Sequence, residues 1–171
     1  MIGAGASALV LDLVRQGYRR IDAVDLSPSA LEQLRTRLGD EAEAVRLVCA
    51  DVREVRFNGP IDVWHDRATF HFLTDAAGRR AYVDRVNDAV AHGGHVVLAT
   101  FSEQGPEQCS GLPVVRYCAA ALGAVFAEHF DLIDSFTRDH VTPWGTAQSF
   151  THALLRRRDV AAMFTAAAGE C

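Results

Sequence analysis

The sequence predicts an α/β fold, a doubly wound and mostly parallel sheet that ends in an antiparallel hairpin. Short apolar runs alternate with segments of helical periodicity over the first part of the chain. The almost wholly apolar run at residues 95–100 is typical of a strand buried on both faces. Two late runs separated by a turn around residues 143–145 predict the closing hairpin.

Each element follows from local signals. Ser7 can cap the first helix, which Gly17 ends, and Pro28 stands at a favoured first helical position with Gly39 beyond that helix. The fourth strand is expected to stop at His65-Asp66. The predicted strands span residues 20–25, 45–50, 61–64, 95–100, 130–136 and 148–155, and the predicted helices span residues 7–16, 28–38, 75–91 and 114–128.

Composition excludes several classes of function. The formal charge of −5 argues against a nucleic-acid partner, because phosphate binding normally requires a basic face. No apolar run approaches the roughly 20 residues of a membrane span, and no signal sequence precedes the first glycines, so we expect a cytoplasmic protein. The four cysteines match no metal or redox spacing, and we predict no metal site.

A glycine loop near the N-terminus predicts a nucleotide-cofactor site. Gly3-Ala4-Gly5 precedes a helix, and Asp25 ends an apolar strand about 20 residues later. Glycines let the backbone approach a ligand closely, helix N–H groups favour anionic atoms, and the carboxylate can hold ribose hydroxyls. These residues alone fit either a nicotinamide cofactor or S-adenosyl-methionine (SAM).

Over nearly its whole length the chain resembles the class I SAM-dependent methyltransferases. The resemblance rests on the glycine loop, Asp25 after strand two, Asp51-Val52 after strand three, the Gly93-Gly94 turn before strand five, and the terminal hairpin. It implies a Rossmann-like sheet of order 3-2-1-4-5-7-6, SAM as the cofactor, and methyl transfer by in-line displacement. GAGASA alone also fits the dinucleotide fingerprint.

The resemblance also implies a set of cofactor-binding residues. The glycines would make room for the methionine part of SAM, Asp25 would hold the ribose, Asp51 would accept from the adenine amino group, and Val52 would pack on the ring. A plain glycine turn, a strand-end carboxylate and a turn-initiating Asp are the structural alternatives. The predicted cofactor residues are Gly3, Ala4, Gly5, Asp25, Leu26, Asp51, Val52 and His65.

The segments after strands four and five are expected to face the acceptor. Asp66-Arg67-Ala68 is similar to the Asp-Arg-Gly of thiopurine S-methyltransferase relatives, which suggests that Arg67 faces substrate, although a loop salt bridge would also explain it. The loop of residues 101–117 can form a polar lid or a plain connection. The predicted substrate residues are Arg67, Cys109, Arg116 and Tyr117. No catalytic base is assigned; its candidates are His65, Asp66 and His71.

One departure from the family concerns the first strand. A complete central strand ending in an acidic residue normally precedes the first motif, and here Met1 stands at the acidic position. We expect residues 1–158 to be an N-terminally incomplete methyltransferase domain whose natural start lies upstream, and residues 159–171 to be a flexible tail. The acceptor is expected to be a small molecule. A non-catalytic binding module and an NAD-binding oxidoreductase remain alternatives, and the oligomeric state stays open.

Overall fold

The computed structural model describes residues 1–5, 7–142 and 144–159, and the chain divides into two compact units. These are an N-terminal unit, Met1–Asn58, and a C-terminal unit, Gly59–Cys171. The predicted tail lies, from residue 160 onward, outside the described residues. Within the described part of the chain, no helix is long and apolar enough to cross a membrane.

The N-terminal unit contains two helices and a parallel pair of strands. Ser7 caps the first helix by accepting from Leu9 N, and Ser27 caps the second by accepting from Ala30 N. Pro28 is the first residue of that second helix and Gly39 ends it, as predicted. The elements are α1 (Ala8–Arg15), β1 (Ile21–Asp25), α2 (Pro28–Leu38), a 3₁₀ turn (Gly39–Ala44) and β2 (Val45–Cys49).

The core of this unit forms between the helices and the strands. Apolar residues recur three or four positions apart along each helix, so that one side of the helix is buried. The buried residues of the cluster are Ala4, Val10, Leu11, Val14, Ile21, Ala23, Leu34, Leu38 and Val45.

The chain start lies parallel to β1. Ile2 forms an isolated parallel bridge with Val24, whose N–H donates to Met1 O and whose carbonyl accepts from Ala4 N. The first strand that the family resemblance implies is therefore reduced here to a single bridge.

The C-terminal unit is built on a four-stranded sheet of order β3-β4-β8-β7. β3 and β4 are parallel, and β8 is antiparallel to both of its neighbours, β4 and β7, which confirms the predicted hairpin. The elements are β3 (Ile61–Arg67), α3 (Ala76–Ala89), β4 (Val90–Phe101), β5 (Gln108–Cys109), β6 (Leu112–Pro113), α4 (Ala119–Phe126), β7 (Phe130–Val141) and β8 (Ala147–Arg157).

Two details of the predicted elements are wrong. β3 does not stop at His65-Asp66, because its parallel ladder with β4 continues to Arg67 opposite Ala99. The helix predicted from Val114 begins at Ala119. The preceding segment stays extended because Val115 N donates to His71 O and Tyr117 N donates to Phe101 O.

The loop after β4 contains a small hairpin, β5 with β6, which the sequence analysis did not predict. Its two turn residues, Ser110 and Gly111, have φ angles of 51° and 78°. Positive φ at both positions is the geometry of a tight hairpin turn. The loop is therefore partly ordered by its own backbone pairing.

Candidate functional site

The glycine loop of the N-terminal unit has a backbone that side chains rarely allow. Gly3 and Gly5 have φ angles of 58° and 49°, in the left-handed region. Gly5 N donates to Asp25 Oδ2 at 2.7 Å. The loop is therefore fixed to the end of β1. At Gly5 an added Cβ would meet no atom closer than Asp25 Oδ2 at 3.9 Å, so the backbone there is open to close approach.

Asp25 joins three parts of this unit. Its Oδ2 holds the glycine loop, and its Oδ1 accepts from Ser27 N at 2.8 Å, directly before α2. A carboxylate oxygen has a second lone pair, so both oxygens can still accept a hydroxyl proton. The next side chain, Leu26, is 70% exposed and presents apolar surface beside the carboxylate.

The adenine-side pair, Asp51 and Val52, is already engaged within the protein. Asp51 accepts from Arg53 N and from its guanidinium at 2.9 Å, and these side-chain hydrogen bonds hold the pKa of Asp51 below its ordinary value. Val52 is buried, with 7% of its surface exposed. A purine ring packing on Val52 would have little of its surface to contact.

Asp66 is fully buried at the end of β3 in the C-terminal unit. It accepts from Thr69 N at 2.9 Å, from Phe70 N at 3.1 Å and from Tyr82 Oη at 2.6 Å. Tyr82 in turn accepts from Trp64 Nε1 at 2.9 Å. Burial raises the pKa of Asp66 to about 6, although the three hydrogen bonds act in the opposite direction and lower it. This arrangement holds the segment after β3 and leaves Asp66 no exposed surface for an acceptor.

His71 is also fully buried, in the short 3₁₀ turn Phe70–Phe72. Its Nδ1 accepts from Phe101 N at 3.4 Å, whereas Nε2 has no hydrogen-bond partner among the described residues. Burial lowers its pKa to about 4, so the imidazole is neutral at physiological pH.

This burial makes the contribution of His71 to stability acid-sensitive, opposite in sign to that of Asp66, whose raised pKa adds stability as the pH falls. The unfolded chain binds a proton at His71 near the ordinary pKa of 6.5, and the folded chain does so only near 4. Stability is therefore lost as the pH falls between these values, by up to about 3 kcal/mol from this group. As the pH falls through this window, we expect the wild type to lose up to about 3 kcal/mol more unfolding free energy than His71→Gln, measured by urea denaturation. The exposed His92→Gln variant should keep the wild-type slope, and an unchanged slope in His71→Gln would contradict the account.

Arg67 and Cys109 lie around the same buried ring. The Arg67 guanidinium carbon is 5.4 Å from the centroid of Phe150, and Cys109 packs against the cluster of Ala99, Phe101 and Phe150. Two of the four predicted substrate residues are thus brought together at the carboxyl ends of β3 and β4.

Arg116 and Tyr117 occupy structural positions. Arg116 donates to the carbonyls of Glu103 and Gly105 and to Glu107 Oε1, which ties the loop after β4 together. Tyr117 is 5% exposed and stacks at 5.4 Å on Phe70, with no partner for its hydroxyl in the described structure. The geometry does not place these two side chains beside Arg67.

His65 differs from the other two base candidates because it is only partly buried. Burial is the largest cause that lowers its pKa, and Arg67 contributes to the shift. Its Nδ1 has no hydrogen-bond partner among the described residues. A neutral imidazole is the form that accepts a proton, and because this Nδ1 is buried, the nitrogen left to serve an acceptor is Nε2.

The sequence analysis did not single out several residues near this site. Phe136 and His152 stack at 4.5 Å, and Arg138 lies opposite Phe150 across β7 and β8. The alternation of Phe136, Arg138 and His140 along β7 is the signal that could have found them. In the described ranges, no group of His, Cys, Asp and Glu could hold a metal ion, and Cys49, Cys109 and Cys118 are free thiols.

Comparison with known proteins assigns the fold and the family. The chain superimposes on the Burkholderia thailandensis 1,6-didemethyltoxoflavin-N1-methyltransferase, solved with 1,6-didemethyltoxoflavin and S-adenosylhomocysteine, with a TM-score of 0.72 and 23% identity, covering 92% of this chain and 69% of that one. For the N-methyltransferase NodS of Bradyrhizobium japonicum WM9, solved with S-adenosylhomocysteine, the TM-score is 0.75 at 16% identity, covering 92% and 76%.

The structural likeness establishes a Rossmann-like methyltransferase fold, and no curated protein matches the chain significantly. The model of the methyltransferase domain family matches residues 1–94, which is more than half of the sequence. The chain therefore belongs to the methyltransferase domain family and is a SAM-dependent methyltransferase.

Proposed function

We propose that this chain transfers the methyl group of SAM to a small-molecule acceptor, and that the glycine loop and Asp25 hold the cofactor. The observation that supports it is the carboxylate at the end of β1, which fixes the positive-φ loop while each of its oxygens keeps a free lone pair. When bound, the sulfonium of SAM supplies an electrophilic methyl group.

In this proposal the residues of the N-terminal unit bind and orient the cofactor. Gly3, Ala4 and Gly5 leave room for its methionine part, and Asp25 accepts hydrogen bonds from the ribose hydroxyls. The exposed Leu26 covers the adenosine. Asp51 can accept from the adenine amino group only alongside or in place of Arg53, so its contribution is smaller than that of Asp25.

Two observations support a small acceptor. The net charge of −5 is unfavourable for a nucleic-acid substrate. The structural neighbour from Burkholderia binds the small heterocycle 1,6-didemethyltoxoflavin. In the C-terminal unit we propose Arg67 and Cys109 as acceptor-facing residues, and His65 as the base for an acceptor that needs one.

The glycine loop gives a matched pair of variants. Gly5 and Gly39 both have positive φ angles, 49° and 54°, so alanine at either position should lower the unfolding free energy, by about 1 kcal/mol or more. Only Gly5 lies beside Asp25. We expect Gly5→Ala to weaken SAM binding about tenfold or more in calorimetric titration, and Gly39→Ala to leave it unchanged. Equal affinity in the two variants would contradict the proposed cofactor site.

Turnover tests the activity. The purified chain, incubated with SAM and a panel of small heterocyclic, carboxylate and thiol acceptors, should release S-adenosylhomocysteine only when an acceptor is present. Mass spectrometry should find one acceptor heavier by a methyl group. SAM binding without turnover on any acceptor, including protein extracts, would favour the non-catalytic binding module instead.

A further inference from the structure

One face of the C-terminal sheet carries positive charge and aromatic rings in two adjacent rows. Partners in register point to the same side of a sheet, and Arg67, Ala99, His152 and Phe136 are partners in turn across all four strands. The next row contains Phe101, Phe150 and Arg138. We call the side chains of Arg67, Phe136, Arg138, Phe150 and His152 the Arg–aromatic face.

The two arginines of this face have no ion-pair partner in the part of the chain that the structure describes. Both are exposed, and the contact of Arg67 is with the Phe150 ring rather than with a carboxylate. Most arginines elsewhere in the chain pair with acids, as Arg46 does with Asp22 and Arg158 with Asp131. The uncompensated charge therefore favours an anion at this place.

The pKa of His152 shows that the guanidinium groups of Arg67 and Arg138 both lie close enough to influence its imidazole. Its pKa is lowered first by burial and then by the positive charges of Arg67 and Arg138. The imidazole is consequently neutral and can accept as well as donate a hydrogen bond.

One ring of the face, that of Phe136, is exposed for stacking. Phe136 and His152 stack with an interplanar angle of 10°, and Phe136 is 54% exposed although it is a large apolar side chain. His152 covers one face of the Phe136 ring, so a planar ligand can stack on the other face and present an anionic group to the two unpaired guanidinium groups.

The position of the face agrees with an acceptor site. Arg67 is the last residue of β3, and ligands of open α/β sheets bind beyond the carboxyl ends of the parallel strands. Cys109 and Val114, from the loop after β4, pack against the Phe101–Phe150 cluster at the same end.

We propose that the Arg–aromatic face binds the methyl acceptor, and that this acceptor is a planar aromatic molecule bearing a carboxylate or phosphate group. The inference rests on the proposed function and specifies its substrate class. Arg67 and Arg138 bind the anionic group, while Phe136, backed by His152, stacks on the ring.

The test uses defined probes and matched variants. 2-Naphthoate, 2-naphthyl phosphate and the neutral 2-naphthamide are titrated calorimetrically into the full chain with and without saturating S-adenosylhomocysteine. Arg67→Gln and Arg138→Gln remove the charges, and Arg80→Gln, on the exposed surface of α3, is the control. All three sites are exposed, so thermal unfolding should show folded variants.

We expect at least one anionic probe to bind at least about tenfold more tightly than the amide, and each of Arg67→Gln and Arg138→Gln to weaken that binding about fivefold or more. The better of the two anionic probes identifies carboxylate or phosphate as the preferred group. Arg80→Gln should bind as the wild type does.

Two results would overturn the inference. If all three probes bound equally, or if Arg80→Gln lost as much affinity as Arg67→Gln and Arg138→Gln, the face would not be an anion site. A positive SAM titration would still support methyl transfer in that case. The second result is a chain that binds the anionic probes through these arginines but binds neither SAM nor S-adenosylhomocysteine. That result would contradict the proposed function, and the face could then not be assigned to a methyl acceptor.

Discussion

Asp66→Ala is expected to lower the free energy of unfolding by about 3 kcal/mol or more. The substitution leaves Thr69 N, Phe70 N and the Tyr82 hydroxyl without their acceptor in or beside a fully buried position. Each buried donor without a partner costs about 1 to 3 kcal/mol. Urea denaturation followed by circular dichroism measures the change, with linear extrapolation to water.

Two companion variants separate this network from a general effect of removing an acid. Tyr82→Phe removes only the hydroxyl between Trp64 and Asp66, and should cost about 1 to 2 kcal/mol. Asp84→Ala breaks a largely exposed pair with Arg80 and should change stability by less than about 1 kcal/mol. If Asp66→Ala were as stable as Asp84→Ala, the structural role of the buried carboxylate would be wrong.

Asp25→Ala is expected to weaken SAM binding at least about 100-fold. In the proposed site it removes two charged acceptors for the ribose and also the hydrogen bonds that hold Gly5 N and Ser27 N. Hydrogen bonds to a charged group contribute about 1.5 to 3 kcal/mol each, so the loss of two accounts for this factor. Calorimetric titration of SAM into the variant measures it.

The control for this prediction is Asp40→Ala, which removes an exposed acid in the same unit. Asp25→Asn adds a second comparison, because the amide keeps one acceptor oxygen and should retain part of the affinity. Thermal unfolding of both variants checks that the N-terminal unit remains folded. A wild-type affinity in folded Asp25→Ala would place the cofactor elsewhere.

Elements with local stop and start signals could be predicted from the sequence. The bounds of α2 follow from a serine cap and a proline at its start and a glycine at its end. Each of these signals stands at the helix end that it sets. The start of α4 could not be predicted in this way. Residues 114–118 are held extended by His71 O and Phe101 O, which lie far away in sequence.

The same distinction applies to the sites. The spacing of Gly5 and Asp25 predicted that both belong to one cofactor site, but it did not indicate the hydrogen bond between them. The partners of Asp66 are Tyr82 on α3 and two backbone N–H groups, and no sequence pattern announces a network of this kind.

The Arg–aromatic face depends on strand register, which the sequence leaves open. Phe136 lies opposite His152 because the register that begins at Val141 and Ala147 beside the turn continues unbroken to them, and it shifts only beyond them, between Leu132 and Asp134. A slip of one residue would turn Phe136 and Arg138 to the other side of the sheet. Charge alone therefore could not have indicated this cluster.

The most direct test of methyl transfer is calorimetric titration of SAM, S-adenosylhomocysteine and NAD into the wild-type chain and Asp25→Ala. The account predicts that the wild type binds SAM and its demethylated product and does not bind NAD, and that Asp25→Ala loses both ligands. Binding of NAD without SAM, or binding of none of the three by the folded wild-type chain, would contradict it.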